Sequence, residues 1–416
     1  MIKLRLTTLS FLQFFIWGSW LITIGGYCFN TKQWSPSEFG IIFSTMGFSA
    51  LFMPPITGIL ADRFINAEKL YGILHLLGGI SLYFVPSAET PNEMFWTILV
   101  TMLFYMPTIS LSNTVAYHVL SKNNFDVVKN FPPIRVWGTI GFIAAVWTVS
   151  LTHNETSSFQ FYLASLVSIA LAIYSFTLPS CPPLGRNLPK KTWANSLGLN
   201  AFQMLKEKQF AIFFTFSMLL GAALQLTNAY GDTFLQDFKL QPQYANTLAM
   251  KYPAIILSIS QISETLFILT IPFFMKRFGI KQVMIFSMLA WVLRFALFAY
   301  GNPSNGLWMI ILSCIIYGMA FDFFNISGSL FIETSVDAGI RSSAQGLFTM
   351  MVNGIGAILG SLASGKIIEL YFVHNNVKDW QSIWLVFAAY AALVTILFIL
   401  LFKNKNNSVN SVNQYE

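Results

Sequence analysis

Seven polar side chains fall inside long apolar runs, and their types and spacings suit the capture of a small polar molecule. Gln261 and Glu264 lie in Ser258-Ile-Ser-Gln-Ile-Ser-Glu264, within an apolar run from Tyr252 to Met275. Three residues apart, they share one face of a helix. Gln225 and Asn228 repeat that spacing. Their amides both donate and accept, which suits base edges or sugar hydroxyls and equally suits bonding between helices. Arg135, Thr139 and Phe142 follow at spacings of four and three, so one wall carries a cation, a hydroxyl and a ring. Arg135 either lines a cavity or snorkels to headgroups. Tyr317 and Phe321 are one turn apart, with Asp322 one position round.

A carboxylate at mid-membrane depth costs about 2.5–3.5 kcal/mol on insertion scales, so it reads as functional by default. The hydropathy pattern places two acids deep in the runs, Glu264 and Asp322. Burial disfavours the charged form of an acid, so either could bind and release a proton. Glu264 could instead accept a hydrogen bond from a substrate and never titrate. Asp322 could instead pair with Arg294 or Lys366.

These residues need helices that span a bilayer. The chain of 416 residues is 55% hydrophobic, 16% aromatic and 10% charged, with mean hydropathy +0.61. Soluble domains carry about 25% charged residues. The composition predicts an all-α polytopic membrane protein, and the long unalternating runs argue against a β-barrel. At roughly 20 residues per crossing, hydropathy predicts twelve transmembrane helices near 6–29, 37–60, 69–86, 94–120, 133–152, 158–178, 209–230, 252–275, 281–300, 307–332, 342–371 and 381–402. The Pro- and Lys-rich stretch 180–208 divides the chain into halves 1–179 and 209–403. Residues 404–416, rich in Asn and Ser, read as a disordered tail.

With the N-terminus inside, 17 Lys and Arg fall on the inner side and four on the outer. That bias predicts both termini in the cytoplasm. Cys28, Cys181 and Cys314 are scattered and odd in number, so free thiols are expected. His75, His118, His153 and His374 have no partner at metal-ligand spacing. No phosphate-binding loop and no nucleophile–base set is visible, so neither an enzyme nor an ATP-driven pump is indicated. No metal or cofactor and no nucleic-acid partner is implied, and a monomer is expected.

The six-plus-six layout with a basic central loop resembles the major facilitator superfamily. So does Gly58-Ile-Leu-Ala-Asp-Arg63, between the second and third spans. There a small Gly lets helices approach, and Asp62 with Arg63 could hold an inner gate. The second half keeps basic residues in Met275-Lys-Arg-Phe-Gly-Ile-Lys281 but lacks the acid, as a degenerate repeat would. A closer resemblance, to the bacterial nucleoside:proton symporter family, rests on six stretches: Leu9–Trp20, Phe131–Phe142, Phe216–Gly221, Ser258–Phe267, Leu293–Gly301 and Ala320–Gly328. It implies nucleoside uptake across the inner membrane, driven by protons, by alternating access. It further implies substrate contacts at Arg135, Thr139, Phe142, Gln225, Asn228, Gln261, Glu264 and Phe321, with an acidic position tied to transport at Asp322. A sugar:proton symporter would need the same residue types, and a membrane receptor would be expected to add a soluble signalling domain.

Overall fold

The structure is a computed structural model and describes residues 2–183, 199–244, 247–337, 340–375 and 377–402. Most of the predicted linker and the predicted tail lie outside the described residues. Among the described residues, the helical stretches of nine or more residues are α1 (Ile2–Gly18), α2 (Pro36–Arg63), α3 (Ala67–Phe84), α4 (Pro91–Lys122), α5 (Val127–Leu151), α6 (Phe159–Ser175), α7 (Lys208–Asp237), α8 (Pro253–Tyr300), α9 (Leu307–Ser335), α10 (Arg341–Thr349), α11 (Ala357–Phe372) and α12 (Trp380–Leu401). A two-residue hairpin pairs β1 (Val373–His374) with β2 (Val377–Lys378). Lipid-facing sheet edges are excluded because a bilayer offers no hydrogen-bond partners to an open backbone.

Nine helices among the described residues are long and apolar enough to cross a membrane, and Phe159–Ser175 is a shorter apolar helix. These helices do not map one to one onto the predicted spans. The predicted spans 252–275 and 281–300 are two helices that follow each other directly across a non-helical kink at Gly279, and the pair is labelled α8. Gly279 has φ +77°, a left-handed conformation that glycine adopts without a Cβ penalty. The predicted span 6–29 is broken after Gly18 and resumes as Ile24–Gly26 and a wide turn, Tyr27–Thr31. The predicted span 342–371 is α10, a π-helical stretch Met350–Gly356, and α11 in series.

Helix starts follow local chemistry. Ser35 and Glu38 cap α2 reciprocally, as Thr90 and Glu93 cap α4. Helix α5 opens at Val127, capped by Asp126, and not at the proline pair. Pro132 and Pro133 sit in its second turn, so they orphan only carbonyls close to the helix end.

The helices form two sets that meet along seams of small residues. Helices α1 and α5 pack closely, as do α3 and α6, α2 and α4, α7 and α11, and α8 and α9. Between the sets, α2 packs on α11 and α5 on α8. In the α2–α11 seam Gly40 faces Gly365 and the carbonyl of Ser361. Each hydrogen bond between α1–α6 and α7–α12 among the described residues lies toward the face remote from the termini. Glu369 accepts from Ser37 N (2.9 Å), Trp147 Nε1 donates to Ser258 Oγ (2.9 Å), and Glu155 accepts from Gln236 Nε2 (2.8 Å) and Lys239 Nζ (3.3 Å). At the terminus-bearing face polar contacts stay within one set, as in Arg5 with Thr177 and Arg341 with Glu333. Among the described residues, hydrogen bonds join the sets at one face, the sealed face, and none joins them at the other, the parted face.

Gly58, expected to permit close packing, has nothing within 4 Å of a Cβ built on it. It sits toward the parted face. Gly318 is the opposite case. A Cβ there would lie 2.6 Å from Ser263 O and 2.8 Å from Glu264 N, so its absence lets α9 lie against α8 beside Glu264. Gly318→Ala is expected to destabilise the protein by on the order of 1–3 kcal/mol through overpacking. Gly58→Ala should leave stability unchanged. Thermal unfolding of both variants in detergent checks the pair.

Candidate functional site

Helices α5, α7, α8 and α9 carry every residue of the expected site. Trp147 and Ser258 join α5 to α8, so the Arg135–Thr139–Phe142 stripe and the Gln261–Glu264 stripe belong to facing helices. Arg135 and Glu264 are electrostatic neighbours, yet no ion pair within 4.0 Å joins them among the described residues. The Arg135 guanidinium turns onto its own helix set. It stacks 4.0 Å from the centroid of Phe14 and folds over Gly138, where a Cβ would meet its Nη1 at 2.8 Å.

On the α7–α9 side, Phe321 stacks parallel to Tyr317, with centroids 5.8 Å apart and planes 5° apart. Tyr317 is held from behind by Arg294, whose guanidinium lies 4.7 Å from its centroid. Phe321 lines a narrow cleft with Leu220 and Leu224 of α7, Trp291, Asn325 and Val352. Phe142 and Phe321 make no direct ring contact among the described residues, so each presents its face separately.

Among the described residues, the side chains of Arg135, Thr139, Gln225, Asn228, Gln261, Glu264 and Asp322 make no hydrogen bond to protein. The Oε1 atoms of Gln225 and Gln261 and Oδ2 of Asp322 are fully buried and unpaired. Buried polar atoms are paired in the great majority of cases, and each exception calls for an explanation. Gln13, in the same bundle, follows the rule. Gln13 Nε2 donates to Thr108 Oγ1 (2.9 Å), and Gln13 Oε1 accepts from Tyr71 (2.6 Å) and meets His75 Nε2 (2.8 Å). The alternative of a structural ion pair for Asp322 is not met. Arg294 donates to Ser313 O (2.5 Å) and Thr227 Oγ1 (3.4 Å), and Lys366 is exposed.

Asp62 and Arg63 close α2 at the parted face. Asp62 is exposed, and neither residue makes an ion pair among the described residues. The three cysteines are free and buried. Among the described residues no group of three or more His, Cys, Asp or Glu is arranged to hold a metal ion.

The nucleoside H+ symporter family pattern matches residues 1–407. The chain belongs to the nucleoside H+ symporter family. This symporter is 49% identical over 406 residues to the nucleoside permease NupG of Escherichia coli, covering 97% of each chain. It is 51% identical over 403 residues to the xanthosine permease of the same organism, covering 97% of this chain and 96% of that one. A crystal structure of the nucleoside transporter NupG superposes with a TM-score of 0.91 at 50% identity, covering 97% of the symporter and all of that chain.

Two features of the symporter fall outside the hydropathy pattern. Helix α7 runs to Asp237, past the predicted boundary at 230, and buries Asp232 at 1% exposure. Glu264 and Asp322 are therefore not the only deep acids. Glu155, in the loop between α5 and α6, is 4% exposed and bridges the two helix sets. Its sequence signal is weak, because a loop acid between two spans ordinarily points to water.

Removing an unpaired amide should not harm the fold, whereas removing a paired one should. Gln261→Leu is expected to keep or raise the melting temperature while weakening substrate binding about 5- to 150-fold, the equivalent of 1–3 kcal/mol. Gln13→Leu is expected to lower the melting temperature, because Tyr71, His75 and Thr108 lose their partner. Unfolding curves and equilibrium binding of radiolabelled nucleoside distinguish the two.

Proposed function

We propose that this symporter imports nucleosides with protons across the inner membrane by alternating access, taking the substrate between its two helix sets. The observation that carries this reading is the ring of unpaired donors and acceptors from α5, α7, α8 and α9, flanked by two aromatic faces. A nucleoside offers a flat heterocycle for Phe142 and Phe321. It also offers sugar hydroxyls and base edges for Arg135, Thr139, Gln225, Asn228, Gln261 and Glu264. For the Oε1 atoms of Gln225 and Gln261, such a contact would satisfy an atom otherwise buried unpaired at a cost of about 1–3 kcal/mol.

The chain is proposed to cross the membrane twelve times as a monomer of the major facilitator type. Halves 1–179 and 209–403 would be joined by a cytoplasmic linker, 180–208, with 404–416 as a cytoplasmic tail. Both termini would face the cytoplasm, as the charge bias favours. The conformation described is then inward-facing, and Asp62 with Arg63 would engage in the opposite state, when the inner ends of α2 and its neighbours close up.

Coupling requires that a proton change the balance between the two states or the affinity for substrate. Glu264 is the proposed carrier, because it faces Arg135 across the gap. Protonation would remove that attraction and let the facing helices move independently. Asp322, an electrostatic neighbour of Glu264, is the second candidate.

The test is uptake of radiolabelled uridine into vesicles with an imposed inward proton gradient, against a disaccharide. Uridine accumulates only with the gradient and the disaccharide does not; the reverse preference would move the assignment to sugars. Glu264→Gln is expected to abolish gradient-driven accumulation, and normal accumulation by that variant would pass the proton to Asp322. Gln225→Ala is expected to raise the half-saturating uridine concentration several-fold.

A further inference from the structure

The sealed face holds more acids than bases positioned to meet them. Lys239 pairs with Glu155 at 3.3 Å. Lys378 pairs with Asp237 at 3.1 Å, and Trp380 Nε1 donates to the same carboxylate at 2.9 Å. Lys32 donates to Ala88 O, Lys251 lies over the Tyr252 ring, and His153 stacks on that ring from the other side of the seam. Asp232 is left over. Glu155, Lys239 and Asp237 are the charged groups in its electrostatic reach, and the one base among them, Lys239, is already engaged by Glu155. Gln236, one turn on, gives its amide to Glu155.

Asp232 is also cut off from water. Both carboxylate oxygens are buried without a hydrogen-bond partner among the described residues. Its Oδ2 lies against Gly26, 3.3 Å from where a Cβ would stand, with Thr156 and the Glu155 backbone on the same side. The outer cavity of about 280 Å³ is lined by Asn30, His153, Glu155, Thr156, Gln236 and Lys239, and does not include Asp232. The walls around Asp232 come from both helix sets, so they exist only while this face is closed. The nearby Gln236 amide and Lys239 ammonium are both held by Glu155, and an ionised carboxylate enclosed without a hydrogen bond of its own is costly, so in practice such a group takes a proton. Parting the seam would return it to water, where it ionises.

We propose that Asp232 is a proton-binding site of the outer seal, loaded on closure and separate from the carboxylates of the central site. The proton comes from water on that face as the seam shuts and returns there as it opens. It therefore adds nothing to the protons transported, but it makes closure depend on the pH of that face. The closed state binds one more proton than the open state, so closure is favoured at low pH and lost as pH rises, by up to about tenfold in the open:closed ratio per pH unit. Glu155 is a separate element: its bonds to Gln236 and Lys239 hold the seam at any pH at which Lys239 is charged.

The test rests on the proton-coupled reading but needs no nucleoside, so the substrate assignment can fail without affecting it. Ala229 packs under Gly25 in the seam and is buried. Purified protein in detergent carrying Ala229→Cys and Cys28→Ser is reacted with a bulky water-soluble maleimide at about pH 6 and about pH 8. Rates are normalised to the unfolded protein at each pH. The normalised rate is expected to rise with pH, approaching tenfold per unit. Asp232→Asn should flatten the profile to less than about twofold, and Asp232→Glu should keep the slope with a displaced midpoint. Glu155→Gln should raise the rate at both pH values and keep the slope. A flat profile with Asp232 intact overturns the proposal whether or not the Asn variant folds. An unchanged slope in Asp232→Asn overturns it as well, and a slope lost only in Glu155→Gln would move the proton to Glu155.

Discussion

A polar group inside hydrocarbon must find a partner, and this constraint organises the whole symporter. Most of its buried polar groups obey by pairing within their own helix set. Gln13, His75 and Tyr71 close a network inside the first set, and Arg294 finds Ser313 O and two aromatic rings inside the second. The buried amide and carboxylate oxygens that remain unpaired among the described residues fall in two places. One is the gap between facing helices, where a substrate can complete the set. The other is the sealed face, where a proton can.

Pairing within sets and sparse pairing between them is what a moving machine needs. A polar bond that crosses between the sets must be broken on every cycle, so such bonds are few and lie toward one face. The rest of the seam is small residues in contact, Gly40 on Gly365 and Gly47 on Gly354. Dispersion contacts between glycines separate without orphaning a donor or acceptor. The seam is therefore cheap to open, and its few polar bonds decide which face stays shut.

Much of the site was legible because spacing within a helix does not depend on where the helix ends. Gln261 with Glu264, Gln225 with Asn228, and Arg135 with Thr139 and Phe142 share faces whatever the boundary. What depended on boundaries was misplaced. Ending α7 near 230 hid Asp232. Opening α5 at the proline pair put Arg135 nearer an edge than it lies, because Asp126 starts the helix more than a turn earlier. The division between the spans 252–275 and 281–300 was legible, because hydropathy dips at Lys276, Arg277 and Lys281 and the helix is broken among them at Gly279. Gly58 shows a different limit: a residue type can be chosen for a contact that exists only in another conformation.

Trp147 and Ser258 make the one side-chain hydrogen bond among the described residues that ties α5 to α8. It acts as a fulcrum. At 1.5 Å per residue, Arg135 lies about 18 Å along α5 from this point and Glu264 about 9 Å along α8. A tilt of about 10° between the helices would then swing Arg135 by roughly 3 Å and Glu264 by about half as much. The two charges sit on arms of unequal length, so a small angular play at one indole is magnified into a change of spacing comparable to a hydrogen bond. The guanidinium sweeps about twice as far as the carboxylate.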